Sequence, residues 1–270
     1  MTGTRVLVTN DDGIDAKGIR VLTAALVEHG YEPLVVAPNR DYSGAAGSLL
    51  SLGVADPSHD QSELRYERRV LEEAPDVEAY ALDGPPALCA LIAMREAFGP
   101  MPELVASGIN FGLNVGPAVV HSGTVNAALT AARFGVPALA VSASFRFDPD
   151  TPIENAEIRY DTAARVAMQV LAEQQASGHQ LVSLNTPCCD FSEVKGIRSA
   201  PLAESFKWRS YVESIEGGVI TRAYRESDTE VPPETDAGLV EQGYAALSSL
   251  IGVSTVDCSD LIDAVVEASA

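Results

Sequence analysis

The chain has 270 residues, 46% hydrophobic and 21% charged, with a net charge of −20 and a pI near 4.4. That length suits one sizeable α/β core with an elaboration. The acidity excludes a charge-driven binder of nucleic-acid polymers or anionic membranes, because like charge repels at long range. No apolar run reaches the roughly 18 residues of a membrane span. Met1-Thr2-Gly3-Thr4-Arg5 has no signal-peptide layout, so the cytoplasm is the expected compartment. Cys89, Cys188, Cys189 and Cys258 form no C-x-x-C pair, so zinc-site and redox templates fail and reduced thiols are expected.

In chain order, Arg5–Thr9 reads as a buried strand, since continuous β-branched and apolar residues suit a parallel sheet covered on both faces. A helix is expected from Gly18 to His29, with Ile19, Leu22 and Leu26 at core spacing, and a second strand over Glu32–Ala37. This βαβ opening implies a right-handed crossover and a parallel sheet. Asn39–Leu50 is a polar loop, followed by a charged, irregular stretch with a strand near Leu64–Tyr66. Further strands are expected at Ala79–Leu82, Glu103–Ser107, Ala138–Ser142 and Leu181–Leu184. Helices are expected at Pro85–Phe98, Thr124–Phe134 and Ile158–Gln175, and Gly108–Gly123 is read as one long glycine- and asparagine-rich loop.

After Pro187 the texture changes. Val194–Ala200, Ser205–Val212 and Gly218–Tyr224 alternate like strands with no helices between them, which predicts a β-hairpin extension of the kind that reaches a partner subunit. A short helix at Thr235–Gln242, a strand at Tyr244–Leu250 and a C-terminal helix at Asp257–Ser269 complete the reading. The expected organisation is one domain over residues 1–270. Its Rossmann-like core would occupy residues 1–187, and an oligomerising extension residues 188–270.

Ligands of open α/β sheets bind at the carboxyl ends of strands near the switch in strand order. Three polar loops fall at such ends: Asn10–Gly18, Asn39–Gly47 and Gly108–Thr124. Asp11 and Asp12 are adjacent carboxylates that repel each other unless a cation is present, and a hard cation such as Mg²⁺ or Mn²⁺ takes oxygen ligands of this type. Gly13 allows a sharp turn after them. Taken alone, Asn10-Asp11-Asp12-Gly13 also reads as a simple Asx-type turn. Ser43, taken alone, reads as a solvated loop residue or helix cap. Ser122-Gly123-Thr124 opens a helix, where backbone N–H groups, hydroxyls and the helix dipole suit phosphate. His121 adjoins that loop and reads as a bystander, whereas Trp208 and Tyr211 read as interface residues more than as a base pocket.

Together NDDGIDAKGI, VVAPNRDYSGAAGSL, LVASGINFGLNVG and HSGTVNAAL resemble the SurE family of metal-dependent 5′/3′-nucleotidases. Weaker echoes occur at Leu184-Asn185-Thr186-Pro187 and from Thr235-Asp236 to Gln242-Gly243-Tyr244. The resemblance implies an α/β, Rossmann-like three-layer fold with a parallel or mixed sheet and a C-terminal β-hairpin extension. It places one divalent cation per subunit on Asp11, Asp12, Ser43 and Asn110, and phosphate on Ser122, Gly123 and Thr124, with Asn114 close by. It also implies a homodimer or homotetramer. The implied substrate is a nucleoside monophosphate or another small phosphate ester, attacked in line by metal-activated water, with Asp11, Asp12 and Asn114 as catalytic residues.

Asp12 is the expected proton acceptor. A covalent phosphoaspartate on Asp11 is disfavoured because the second carboxylate such a route uses two residues on is replaced by Gly13. Departures from the family pattern at Lys17, Pro85, Leu88 and Asn126 spare the metal ligands and bear on substrate preference. Other readings are a paralogue specialised for another phosphate ester, a non-catalytic nucleotide-binding module, and a nucleotide-sugar glycosyltransferase. The last needs a second Rossmann half, which the strand-rich end does not resemble.

Overall fold

The structure, a computed structural model, describes residues 3–49, 63–146, 155–205, 208–226 and 228–254. Its strands are β1 (Arg5–Thr9), β2 (Glu32–Pro38), β3 (Tyr66–Leu71), β4 (Ala74–Leu82), β5 (Leu104–Phe111), β6 (Ala138–Ala143), β7 (Phe145–Arg146), β8 (Glu157–Ile158), β9 (Leu181–Thr186), β10 (Ile197–Ser199), β11 (Trp208–Glu216), β12 (Val219–Glu226) and β13 (Ala245–Ser249). Its helices are α1 (Lys17–Glu28), α2 (Pro86–Met94), α3 (Gly123–Ala132), α4 (Tyr160–Ser177) and α5 (Asp236–Glu241).

Among the described residues nine strands form one sheet in the order β10-β13-β9-β6-β5-β1-β2-β4-β3. The central strands β9, β6, β5, β1, β2 and β4 run parallel, while β13 runs antiparallel to β9 and β3 antiparallel to β4. Fully buried runs such as Val6-Leu7-Val8 and Leu104-Val105-Ala106 explain why the centre is parallel: both faces must be covered. Alternate residues serve the two faces. Val6, Val8, Ala106 and Val141 pack against Ile19, Leu22 and Leu26 of α1 and Val166 and Leu171 of α4. Leu7, Val36, Val105 and Ala140 pack against Cys89 of α2 and Val125 and Ala128 of α3. The result is the expected α/β three-layer fold with a mixed sheet.

β1 has β2 on one side and β5 on the other, so the strand order switches between β1 and β5. The carboxyl ends of those two strands carry Asn10 and Asn110, and a crevice at this place is the usual ligand site of such sheets.

Several boundaries differ from the sequence reading. β5 continues through Asn110 to Phe111, with a register irregularity between Ser107 and Asn110, so the expected loop begins only at Gly112. Within that loop Gly116–Val120 forms a 3₁₀ turn. Ile158 belongs to a short strand, and α4 starts at Tyr160. α2 ends at Met94 instead of Phe98. Of the three strands expected after Pro187, only two make the hairpin, β11 with β12. β10 joins the main sheet parallel to β13. The helix expected at Asp257–Ser269 lies outside the described residues. No helix among the described residues is long and apolar enough to cross a membrane.

Candidate functional site

The carboxyl ends of β1 and β5 and the amino end of α3 meet in one cluster of oxygen atoms. Asn10 shapes the first loop: its side-chain amide donates to the Gly13 carbonyl at 2.8 Å. Gly13 has φ of 96° and sits against the Arg40 backbone, so the sharp turn read from the sequence is present. The turn leaves Asp11 buried and Asp12 partly buried at the strand end.

Asp11 faces α3. Its Oδ1 accepts a very short hydrogen bond from the Thr124 hydroxyl. The same hydroxyl lies 3.2 Å from Asn110 Oδ1. A hydroxyl has one hydrogen to give, so two acceptor oxygens share one donor. Asn110 is fixed in this orientation because its Nδ2 donates to the Phe111 and Gly112 carbonyls at 3.2 and 2.9 Å, which leaves its Oδ1 facing the Thr124 hydroxyl. Asp12 Oδ2 accepts from the Phe111 N–H at 3.1 Å. Gly123 must lack a side chain: a Cβ there would lie 2.6 Å from Asp11 Cβ and 2.9 Å from Pro86 Cγ.

The electrostatics follow from this crowding. Burial, and then the charge of Asp11, push the Asp12 carboxyl up to about 7. Burial raises Asp11 as well, against the bonds from Thr124. Asp41 adds a third negative charge that raises both. Burial and then the charge of Asp12 push the Tyr160 phenol up to about 12, which places this first residue of α4 within the field of the cluster. Among the described residues Asn10 Oδ1 is a further buried acceptor with no donor.

A cluster rich in acceptors and poor in donors fits a hard divalent cation, whose ligands are oxygens. Among the described residues no group of three or more His, Cys, Asp or Glu forms a candidate metal cage. A cation here would be held by two carboxylates with neutral oxygens and water, a chemistry suited to Mg²⁺ or Mn²⁺ more than to zinc.

The remaining expected residues are placed less uniformly. Ser43 is exposed, and its N–H donates to Asp41 Oδ1 at 2.7 Å. Its loop is held at the cluster by the Tyr42 N–H, which donates to the Asp11 carbonyl at 2.8 Å. Ser122 caps α3, with its Oγ accepting from Val125 N–H at 3.1 Å, while its own N–H donates to the Ala118 carbonyl at 3.0 Å. The backbone N–H of Ser122 is therefore engaged, leaving its hydroxyl hydrogen for a ligand. Gly123 and Thr124 open α3 against Asp11, as expected of a helix start at the site. Asn114 is buried on the β6–β9 side. Its side-chain amide donates to Ser142 Oγ at 2.9 Å, its N–H to Asn185 Oδ1 at 2.9 Å, and its carbonyl accepts from Asn185 Nδ2 at 3.1 Å. His121 is exposed at the end of the 3₁₀ turn.

Sequence reasoning gave no role to Ser142, Tyr160, Asn185 or Asp236, although motif echoes flagged the last two. Asp236 is fully buried and accepts from three backbone N–H groups, those of Gly116, Ala203 and Ala237, each at 2.8 Å. It ties the Asn114 loop to α5. Of the departures, Asn126 donates to the Val119, Val120 and Ser122 carbonyls at 3.3, 3.3 and 2.8 Å and so stiffens the turn that leads into α3. Leu88 is buried in the α2–α3 core, and Lys17 is exposed at the start of α1.

The family model described as "Survival protein SurE" matches residues 6–209, a span that holds all of the expected site residues. The chain belongs to the SurE family. It is 30% identical over 253 residues to a 5′-nucleotidase SurE of Clostridium botulinum (strain ATCC 19397 / Type A), covering 91% of this chain and 92% of that protein. It is 33% identical over 252 residues to a 5′/3′-nucleotidase SurE of Photorhabdus laumondii, covering 91% and 89%. The crystal structure of the SurE protein from Aquifex aeolicus superposes with a TM-score of 0.72 at 25% identity, covering 98% of this chain and 100% of that one. The likeness of fold thus extends beyond the matched span into the α5 and β13 region.

Two outcomes are expected from this geometry. Asp12 holds its proton more tightly in the folded protein, at about 7, than an ordinary carboxyl does. The stability this confers on the metal-free protein is complete below the unfolded value and is lost as pH rises through about 7. Thermal midpoints measured with chelator present will therefore fall between about pH 5 and about pH 8, and Asp12→Asn will flatten that fall. Asp236→Asn turns one acceptor oxygen into a donor facing an N–H. It is expected to cost roughly 2 kcal/mol in chemical denaturation and to speed exchange of the Gly116 amide. An unchanged midpoint and exchange rate would show the clamp to be dispensable.

Proposed function

We propose that this chain is a metal-dependent phosphomonoesterase that hydrolyses nucleoside 5′-monophosphates, and 3′-monophosphates by the same chemistry, to nucleoside and phosphate. The observation that carries this reading is the meeting of Asp11, Asp12, Asn110 and Thr124 at the β1–β5 switch point. The relatives named 5′-nucleotidase and 5′/3′-nucleotidase support it.

Asp11, Asp12, Asn110 and, from the neighbouring loop, Ser43 would hold one Mg²⁺ or Mn²⁺ per subunit. Such a cation supplies Lewis acidity towards a phosphoryl oxygen and makes a water easier to deprotonate. The Ser122 hydroxyl and the start of α3 at Gly123 and Thr124 orient the phosphate, with the helix dipole favouring its negative charge. Asn114, its loop fixed by Asn185 and Asp236, closes the other side of the phosphate subsite. Asp12 takes the proton of the attacking water, while Thr124 and the fixed Asn110 amide hold Asp11 in place. Asp11 has no part as a covalent nucleophile. The acidic chain favours small phosphate esters over nucleic-acid polymers, because local chemistry dominates only within about a Debye length of roughly 8 Å.

The hairpin of β11 and β12 supports a homo-oligomer. Val212, Ile215, Val219 and Ile220 on it are 54%, 69%, 63% and 62% exposed, an apolar tip of the kind that marks an interaction surface. A second copy of the chain is its proposed partner, as a homodimer or homotetramer.

The deciding experiment measures phosphate release from a panel of nucleoside 5′- and 3′-monophosphates and glycerol 2-phosphate with Mn²⁺ or Mg²⁺, with and without EDTA. Release is expected only with metal, and Asp11→Ala and Asp12→Ala should each lower kcat by at least about a hundredfold. Metal-independent release, or phosphate trapped on Asp11, would sink the reading. Replacing Ile215 and Ile220 together by lysine should shift the sedimenting species to a monomer while circular dichroism stays unchanged. An unaltered sedimentation coefficient would place the subunit contact elsewhere.

A further inference from the structure

Phe111 is the residue to which two of the proposed ligands are tied. Its N–H donates to Asp12 Oδ2 at 3.1 Å, and its carbonyl accepts from Asn110 Nδ2 at 3.2 Å. Its ring belongs to neither core of the sheet. It stacks instead on Phe145, with ring centroids 5.1 Å apart and planes inclined by 24°. Phe145 follows β6 by two residues, so it stands on the same carboxyl rim as the cluster. The chain passes close beneath it at Gly112, where a Cβ would lie 3.7 Å from Phe145 Cε1. Both rings are only half-buried. Arg146, the next residue, is committed to Glu157 at 2.7 Å, so the rim beside the rings carries a neutralised pair.

Two large aromatic side chains kept out of the core, stacked on each other at the edge of a polar cluster, invite a flat ligand. A nucleoside monophosphate has one charged end and one flat, uncharged end. The cluster suits the charged end. The flat end needs a partner that works without charge, because a chain of net charge −20 gives an anionic substrate no general attraction. Stacking on an aromatic face meets that need and is tolerant of which base is presented.

We propose that Phe111 and Phe145 form the stacking platform for the nucleobase, and thereby set the preference of this site for nucleotides over phosphate esters without a ring. The proposal rests on the phosphomonoesterase reading above. Purine monophosphates, with the larger face, gain most from it.

The test uses the metal-loaded protein and the variants Phe145→Leu, Phe111→Leu and Phe145→Tyr, each checked for an unaltered thermal midpoint. For wild type and variants, kcat and KM are measured on adenosine 5′-monophosphate, cytidine 5′-monophosphate and glycerol 2-phosphate. Phe145→Leu keeps apolar bulk but removes the ring. It should lower the ratio of kcat/KM for the adenosine ester over glycerol 2-phosphate about tenfold, through KM, and less for the cytidine ester. Phe145→Tyr should restore the ratio. An equal loss on ringed and ringless esters, or no loss on either, overturns the platform. A second measurement keeps the two proposals separable: saturation-transfer NMR of adenosine, which has no phosphate. If wild type hydrolyses no ester but adenosine contacts are lost in Phe145→Leu, the enzymatic reading fails and the platform stands. If hydrolysis proceeds while adenosine contacts are identical in wild type and variant, the platform fails and the enzyme stands.

Discussion

Two carboxylates that should avoid each other are placed side by side at the switch in strand order between β1 and β5. Among the described residues Asp11 and Asp12 have few donors: the Thr124 hydroxyl and N–H, the N–H of Asp11 itself and the Phe111 N–H. A third carboxylate, Asp41, adds to the repulsion. Much of the rest of the structure can be read as an accommodation of this crowding. Gly123 lacks a side chain so that α3 can press on Asp11. Asn110 is locked with its oxygen inward although an inward amide donor would relieve the negative charge. Gly13 turns the chain away immediately after the pair. An arrangement that stores negative charge in this way favours protons in acid and a divalent cation at neutral pH, and one set of residues accounts for both.

The scaffold supplies what the loops alone cannot. Strand registers are rigid, so residues at the ends of β1, β5, β6 and β9 are fixed relative to one another. Asn114 gains its place from this rigidity, since its partners Ser142 and Asn185 stand side by side on β6 and β9. Asp236 reaches the same loop from 120 residues away in sequence, by way of the Gly116 N–H. The late part of the chain is therefore no appendage. Among the described residues β10 and β13 extend the main sheet, α5 anchors the loop that holds Asn114, and β11 and β12 form a separate hairpin.

How much of this was legible in the sequence depended on the range of the signal. Local patterns carried the central strands and long helices, because a buried parallel strand must be apolar throughout and an amphipathic helix must repeat near 3.6 residues. The Asp11-Asp12-Gly13 turn was legible as a turn, and of the residues the motif resemblance pointed to, the fold brings Asp11, Asn110 and Thr124 into hydrogen-bond reach of one another while Ser43 stays exposed. Signals set by distant partners were not legible. Gly108 and Asn110 read as loop, because glycine and asparagine favour loops, yet pairing with Ser142 and Ala143 keeps β5 running to Phe111. Ile197–Ser199 and Trp208–Glu216 alternate alike, and nothing local tells a strand that joins β13 from one that makes a hairpin. Asp236 and Asn185 looked like faint motif remnants because the loop residues they hold, Gly116 and Asn114, lie more than 70 residues away.

For the proposed phosphate-ester substrate, the charge of the molecule and the chemistry of the site pull in opposite directions. A phosphate dianion approaching a chain of net charge −20 meets repulsion. The basic side chain on the neighbouring loop, Arg40, is engaged with the Tyr42 hydroxyl at 3.1 Å and lies over its ring. On the proposed reading, attraction for phosphate would come from helix-end dipoles, a hydroxyl and a cation held by Asp11 and Asp12, all of them short-ranged. Cation and phosphate would then help each other to bind, and linkage makes such help reciprocal. A site built in this way gains little from a long polyanion, most of whose charge stays outside it. It gains more from a ligand with one phosphate and an uncharged remainder that can lie against the protein.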